Sequence, residues 1–184
     1  TQRIVPSDAL VLEFQETTNA WYVIALTRNA KSFSKIKKDA VFSEALKKFV
    51  DINRNKPAIE NYQEDKQTFS DLSSYLFQKL IQPYSALLKD GKFLYVIPDG
   101  ILYELPFETL LTQQDQSSFM KFHYFGRKQT IAKAFSLRML TANSPAATKK
   151  IDRVLVYAST LDRLGLTNAR KEAELIEDYF STST

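Results

Sequence analysis

Residues 93–111, FLYVIPDGILYELPFETLL, constrain what this chain can fold into more than any other stretch. Five apolar or aromatic side chains run unbroken from Phe93 to Ile97. A short run rich in β-branched and aromatic residues suits a strand buried on both faces. Pro98-Asp99-Gly100 then stops it. Proline presets φ for the first central position of a type I turn, aspartate suits the second, and glycine accepts the left-handed backbone that follows. Residues 101–105 resume as a short extended segment. Pro106 carries no amide hydrogen, so it fits the first turn of a short helix over 107–111. The unit reads as strand, tight turn, short strand and helical turn, with Asp99, Glu104 and Glu108 as its charged side chains.

The segments before this unit divide into strand-like and helix-like stretches. Residues 9–15 and 20–27 are rich in β-branched and aromatic side chains and flank the polar set Glu16-Thr17-Thr18-Asn19, which predicts a β-hairpin. A second turn at 29–31 leads to a third strand over 32–36, so the chain opens as an antiparallel meander. Trp21 and Tyr22 read as core or sheet-face aromatics. Asp39 is placed to cap a helix whose apolar face is Phe42, Ala45, Leu46, Phe49 and Val50. Residues 53–66 read as a polar connection. Phe69, Leu72, Leu76 and Leu80 return to helical spacing, Pro83 ends that helix, and 84–88 continue as a short helix.

After the central unit, 112–118 (TQQDQSS) read as a polar, mobile loop. An extended piece follows over 129–133, then a short helix over 137–142 capped by Ser136. Residues 143–150 form a small-residue and proline linker. A second apolar strand is expected over 154–158 and a helix over 168–180, with Leu175, Ile176, Tyr179 and Phe180 on one face. Strands alternating with helices in this half predict a partly parallel sheet. A helix following a parallel strand normally leads to the neighbouring strand, so the chain is expected to end part-way through an α/β domain. The expected divisions are a β-meander at 1–37, a helical segment at 38–90 and an α/β segment at 91–184.

Charge is uneven. Residues 28–56 carry nine Lys or Arg against three acids, net +6, while the remainder is net −2. Such a segment suits nucleic acid or an acidic partner, but charge runs most often mark a solvated face. Single-strand recognition also needs exposed aromatics, and Phe33, Phe42 and Phe49 are expected on the core side. No apolar run approaches the roughly 18 residues of a membrane span, and no leader is visible at the N-terminus.

Catalytic chemistry has few places to sit. The chain has no cysteine, so it holds no thiol nucleophile, thiolate metal site or disulfide. Its single histidine, His123, lies between Phe122 and Tyr124 and reads as structural. No G-x-S-x-G elbow or phosphate-cradling glycine loop is present. Metal ligation needs clustered ligands, and no cofactor or metal is expected. Two positions remain at strand ends, where open α/β sheets place ligands: Asp99, and Ser159 with Thr160. Ser159 and Asp99 read as satisfying turn backbone. Glu172 and Glu174 read as helix-surface residues.

The 93–111 stretch resembles the opening signature of CHAT domains, caspase-like and separase-like domains that usually follow tetratricopeptide repeats. Residues 9–27 resemble the family's N-terminal hairpin. FQKLIQPYSALL (77–88) is similar to its helix-plus-proline segment, and YFGRKQTIAKAFSLRML (124–140) to its short strand and Ser-Leu helix start. Residues 154–158 and ARKEA (169–173) look like the following strand and its acid-containing helix. The P-D-G…L-P-F-E core is the most specific part. The resemblance implies an α/β fold in which the meander and helices lead into a mixed, partly parallel caspase-like sheet, incomplete at the C-terminus.

It also implies a parent resembling clan CD cysteine peptidases, whose histidine and cysteine follow later strands, beyond this chain. His123 does not match the family's histidine. No catalytic residue carries over; the structural signature Pro98, Asp99, Gly100, Leu105, Pro106 and Phe107 does. The implied role is the noncatalytic N-terminal portion of a cytoplasmic cysteine endopeptidase. Its partners would be a protein substrate or regulator and the parent's tetratricopeptide repeats, with a homodimer through an open sheet edge as a further expectation. The alternatives are a pseudo-enzyme scaffold and nucleic-acid binding through 28–56.

Overall fold

The computed structural model describes residues 5–55, 62–88 and 93–138. The elements expected at 154–158 and 168–180, Ser159 and Thr160, and most of 137–142 lie outside the described residues.

Five strands form one mixed sheet: β1 (Ala9–Glu16), β2 (Ala20–Leu26), β3 (Lys31–Lys37), β4 (Phe93–Ile97) and β5 (Thr130–Lys133), in the order β3-β2-β1-β4-β5. The first three make the expected antiparallel meander, with Phe14 opposite Val23 and Val23 opposite Ser34. β4 pairs in parallel with β1 on one side and β5 on the other. The mixed sheet is therefore an N-terminal meander to which the 93–97 run adds the first parallel strand. β4 is buried at Leu94, Val96 and Ile97, but Phe93 is 40% exposed and Tyr95 only partly buried, so one face is fully buried and the other in part.

Two helices, α1 (Ala40–Arg54) and α2 (Tyr62–Leu80), belong to the core on one sheet face. Asp39 caps α1 by accepting the Phe42 N–H at 2.8 Å. All five residues of the predicted apolar face are buried. They join Leu10, Leu12, Phe14, Trp21, Val23, Leu94 and Val96 from the sheet, and Phe69, Leu76, Phe77 and Leu80 from α2, in one cluster. Burying such large side chains contributes about 1.5–3 kcal/mol each before entropy is charged against it. Val5, Ala9, Val11, Leu26 and Ile97 form a smaller cluster on the opposite face.

Several expectations need correction. Residues 53–66 are not all connection: α1 runs to Arg54 and α2 starts at Tyr62. Helical propensity in YQEDKQ outweighs its polarity, and Glu64 and Asp65 favour a first turn. Residues 100–103 are a 3-10 turn rather than an extended strand. Phe33 was expected inside but is 67% exposed, because odd residues of β3 face away from the helices. The 3-10 turn Gln82–Tyr84 takes up the chain at Pro83, and i→i+3 bonds carry it to Leu88.

No described helix is long and apolar enough to cross a membrane.

Candidate functional site

The carboxyl end of β4 is where the signature residues meet. Asp99 does not occupy a type I turn position: at φ −136° and ψ 152° it is extended and caps the 3-10 turn. Its Oδ1 accepts the Gly100 N–H at 2.9 Å and its Oδ2 accepts the Glu16 N–H at 2.7 Å. A cap that also bridges to β1 holds the ends of two parallel strands together. Hydrogen bonds to a carboxylate are each worth about 1.5–3 kcal/mol. Both Asp99 oxygens are thus engaged by backbone, as expected of a turn residue.

Gly100 has φ +55°, the left-handed backbone predicted for it. A β-carbon there would also overlap the Glu16 carboxylate. Glu16 is held in place by Lys38, whose Nζ donates to Oε1 at 2.5 Å and lies 4.5 Å from the Trp21 ring centre. Gly100→Ala is therefore expected to lower stability by about 1–2 kcal/mol, the cost of an L side chain in that region. Gly100→Asn displaces Glu16 equally but tolerates the backbone better, so urea midpoints should rank Gly, Asn, Ala. An alanine variant as stable as the wild type would contradict this account.

Past the turn, the signature becomes core. Leu102, Leu105 and Phe107 are fully buried and Pro98 is buried beside them. Pro106 precedes the 3-10 turn Phe107–Thr109, so the expected helical turn forms but is shorter. The Phe107 ring lies 6.1 Å from that of Phe14 on β1. Lys133 of β5 sits 5.8 Å from the Phe107 ring centre and donates to the Tyr103 carbonyl at 3.0 Å. Burial there lowers the pKa of the Lys133 ammonium, while Glu108 opposes the shift. Glu108 and Lys133 line an open groove of about 690 Å³ with Arg127, Gln129 and Thr130. Gly126 lies along its wall, where a β-carbon would meet the Glu108 Cβ at 2.8 Å and its carbonyl oxygen at 2.9 Å.

The segment after the signature is hydrogen-bonded to α2. Ser73 of α2 donates to the Thr109 carbonyl at 3.0 Å and accepts the Leu111 N–H at 2.8 Å. Ser70, one turn earlier, accepts the Asp115 N–H at 2.8 Å. The buried Asp115 carboxylate accepts from the Ser117 N–H at 2.9 Å and the His123 N–H at 3.2 Å, and meets His123 Nδ1 at 2.6 Å. The Ser117 hydroxyl and backbone N–H, then His123, hold this carboxyl well below the usual carboxylate range, against the effect of burial. His123 thus fastens a loop. Its ring is about half exposed.

Asp99 stands out in the sequence as a strand-end residue; Glu16, Lys38, Ser70, Ser73 and Asp115 emerge only in the fold. The serines carried a signal: hydroxyls at i and i+3 inside an apolar helical stripe need buried partners. Glu16 and Lys38 carried none, since only the pairing of β1 with β4 brings Glu16 to Gly100. Among the described residues no three His, Cys, Asp or Glu side chains are grouped to hold a metal. At this end of the sheet the Asp99 carboxylate and the Lys133 ammonium bond to backbone, and the Glu16 carboxylate pairs with Lys38.

A model of the CHAT domain family matches residues 70–184, from the middle of α2 through the signature strand and onward. No curated protein matches the chain.

Proposed function

The chain belongs to the CHAT domain family, and from that membership we propose that it is the noncatalytic N-terminal portion of a caspase- or separase-like protein whose parent is a cysteine endopeptidase. The observation that carries this reading is the signature itself. Its strand is the inner parallel strand of a mixed sheet, and its one carboxylate at the strand end is spent on two backbone amides. A residue so committed builds the scaffold and leaves the chemistry to others.

In that reaction a histidine takes the proton of a cysteine thiol. The thiolate attacks the peptide carbonyl to form a C–S bond, and the C–N bond breaks as the amine leaves protonated. Water then hydrolyses the thioester. Backbone amides stabilise the oxyanion at each stage. The thiol must come from outside this sequence, which has no cysteine. The present residues would fix the sheet on which the catalytic strands are hung, and would face the tetratricopeptide repeats or a regulator.

Reading the parent gene past residue 184 and assaying both proteins on a denatured protein substrate tests the proposal. The parent is expected to carry a histidine and then a cysteine after successive strands. It should cleave, lose activity on Cys→Ala, and leave this chain alone inert. A parent without both residues would reduce the domain to a binding scaffold and end the peptidase reading. Cleavage by this chain alone would overturn the noncatalytic assignment.

A further inference from the structure

We propose that the outer edge of β3 and the groove beside it form a docking site for an extended acidic peptide that joins the sheet as an added strand. β3 ends the sheet, and no described residue pairs with its far side. In an antiparallel pair, alternate residues point their N–H and C=O groups away from the partner strand. That row of free groups is a template for another strand.

The site has two chemically different faces. On the helix side, a groove of about 400 Å³ runs between β3 and the carboxyl-terminal part of α2. Ile36, Phe42, Tyr75 and Tyr84 give it an apolar and aromatic part, and Lys35, Lys37 and Lys79 line it as well. The Tyr84 hydroxyl and the Ser34 hydroxyl are hydrogen-bonded, which ties the strand to the end of the helical segment. Asp39 is the only acid lining the groove, and its carboxylate is occupied in capping α1. On the outer face, Phe33 stacks on Tyr22 at 5.7 Å, and the Lys35 ammonium lies 5.7 Å from the Tyr22 ring centre. Lys31 and Lys37 share the parity of Lys35 along β3, and all three are exposed.

Side chains of an added strand would alternate between these faces. Those on one side would meet the aromatic and aliphatic part of the groove. Those on the other would lie across from Lys31, Lys35 and Lys37, where opposite charges pair favourably. The geometry therefore selects a peptide alternating apolar and acidic residues. Lys79, exposed on α2 and lining the same groove, favours an acidic flank as well. A single-stranded nucleic acid would use the stacked aromatics and lysines, but it would leave both the backbone edge and the groove unused.

The test uses the whole chain and a fluorescein-labelled peptide of alternating valine and glutamate. Controls are the same composition in block order, a valine–lysine peptide and oligothymidylate. Fluorescence anisotropy should show binding of the alternating acidic peptide above all controls. Hydrogen exchange should show new protection confined to β3 amides. Joint Lys31→Glu, Lys35→Glu and Lys37→Glu replacement should weaken binding about tenfold, as three cross-strand pairs turn repulsive. Lys79→Glu, on the helix, should weaken it less, and it keeps the test open if the triple variant fails to fold. Equal binding of oligothymidylate or the block peptide without β3 protection would overturn the proposal in favour of a general polyanion face. Self-association through β3 that the peptide does not compete with, or no binding of the peptide, would overturn it too.

Discussion

Phe107→Ala is expected to lower the unfolding free energy by about 3–5 kcal/mol, the range for deleting a fully buried aromatic side chain. Phe107 is fully buried and its ring faces Phe14. It lies in the short turn that carries the chain away from β4, so the cavity would open where the signature segment meets β1. Collapse around it is limited, because Leu102, Leu105, Leu110 and Leu111 beside it in sequence are themselves fully buried. Total stabilities of about 5–15 kcal/mol are usual, so the variant should sit near the edge of folding. Phe107→Leu, which keeps most of the volume, should cost much less. Urea denaturation followed by circular dichroism measures both. An alanine variant within 1 kcal/mol of the wild type, itself about a third of the lower bound, would show that this residue is not part of a common core.

The contrast between what was readable and what was not follows from range. Hairpin, meander and α1 are encoded locally: β-branched and aromatic enrichment over 9–15 and 20–27 around a polar turn, the Asp39 cap, and a stripe at helical spacing each act within a few residues. All three appear close to their expected bounds. The Gly100 conformation was legible for the same reason, since Pro-Asp-Gly has few alternatives. The extended reading of 101–105 failed because apolar runs this short do not distinguish a buried strand from a buried turn. Asp99 then decides the matter by capping a 3-10 turn.

Phe33 shows the limit of pattern within a strand. A strand has two faces, and parity alone does not say which one meets the helices. Only the register with β2, where Phe33 lies opposite the partly exposed Ile24, puts it outside. The polarity of TQQDQSS gives an irregular and mostly exposed loop, as is usual for loops, but not that Asp115 within it is buried. Family membership adds what no local rule supplies. It says what kind of protein uses this scaffold, while the site geometry says that Asp99 and its neighbours support the sheet.

Asp115 offers the second large effect, and one with a pH signature. Ser117 and His123 converge on its carboxylate, Ser117 through its N–H and hydroxyl and His123 through its N–H and, when its proton is there, Nδ1. Asp115→Asn keeps the shape but replaces one acceptor oxygen by an N–H₂ donor, setting donor against donor. At pH 7 it should cost about 2–3 kcal/mol, the range for charged hydrogen bonds lost from a buried group. The carboxyl is depressed in the folded state, chiefly by Ser117, so the folded chain holds the proton less readily than the unfolded one. Its contribution is then fully present above the unfolded value near 4. It declines as pH falls from there toward the lower folded value. The stability gap between wild type and Asp115→Asn should therefore narrow as pH falls from about 5 to about 2. Denaturant titrations of the two proteins across that span measure it. A gap that does not change with pH would mean the carboxylate's charge contributes nothing, leaving Asp115 as a matter of shape. A gap that closes places the charge at the centre of the loop's order, fastening Ser117 and His123 about one carboxylate.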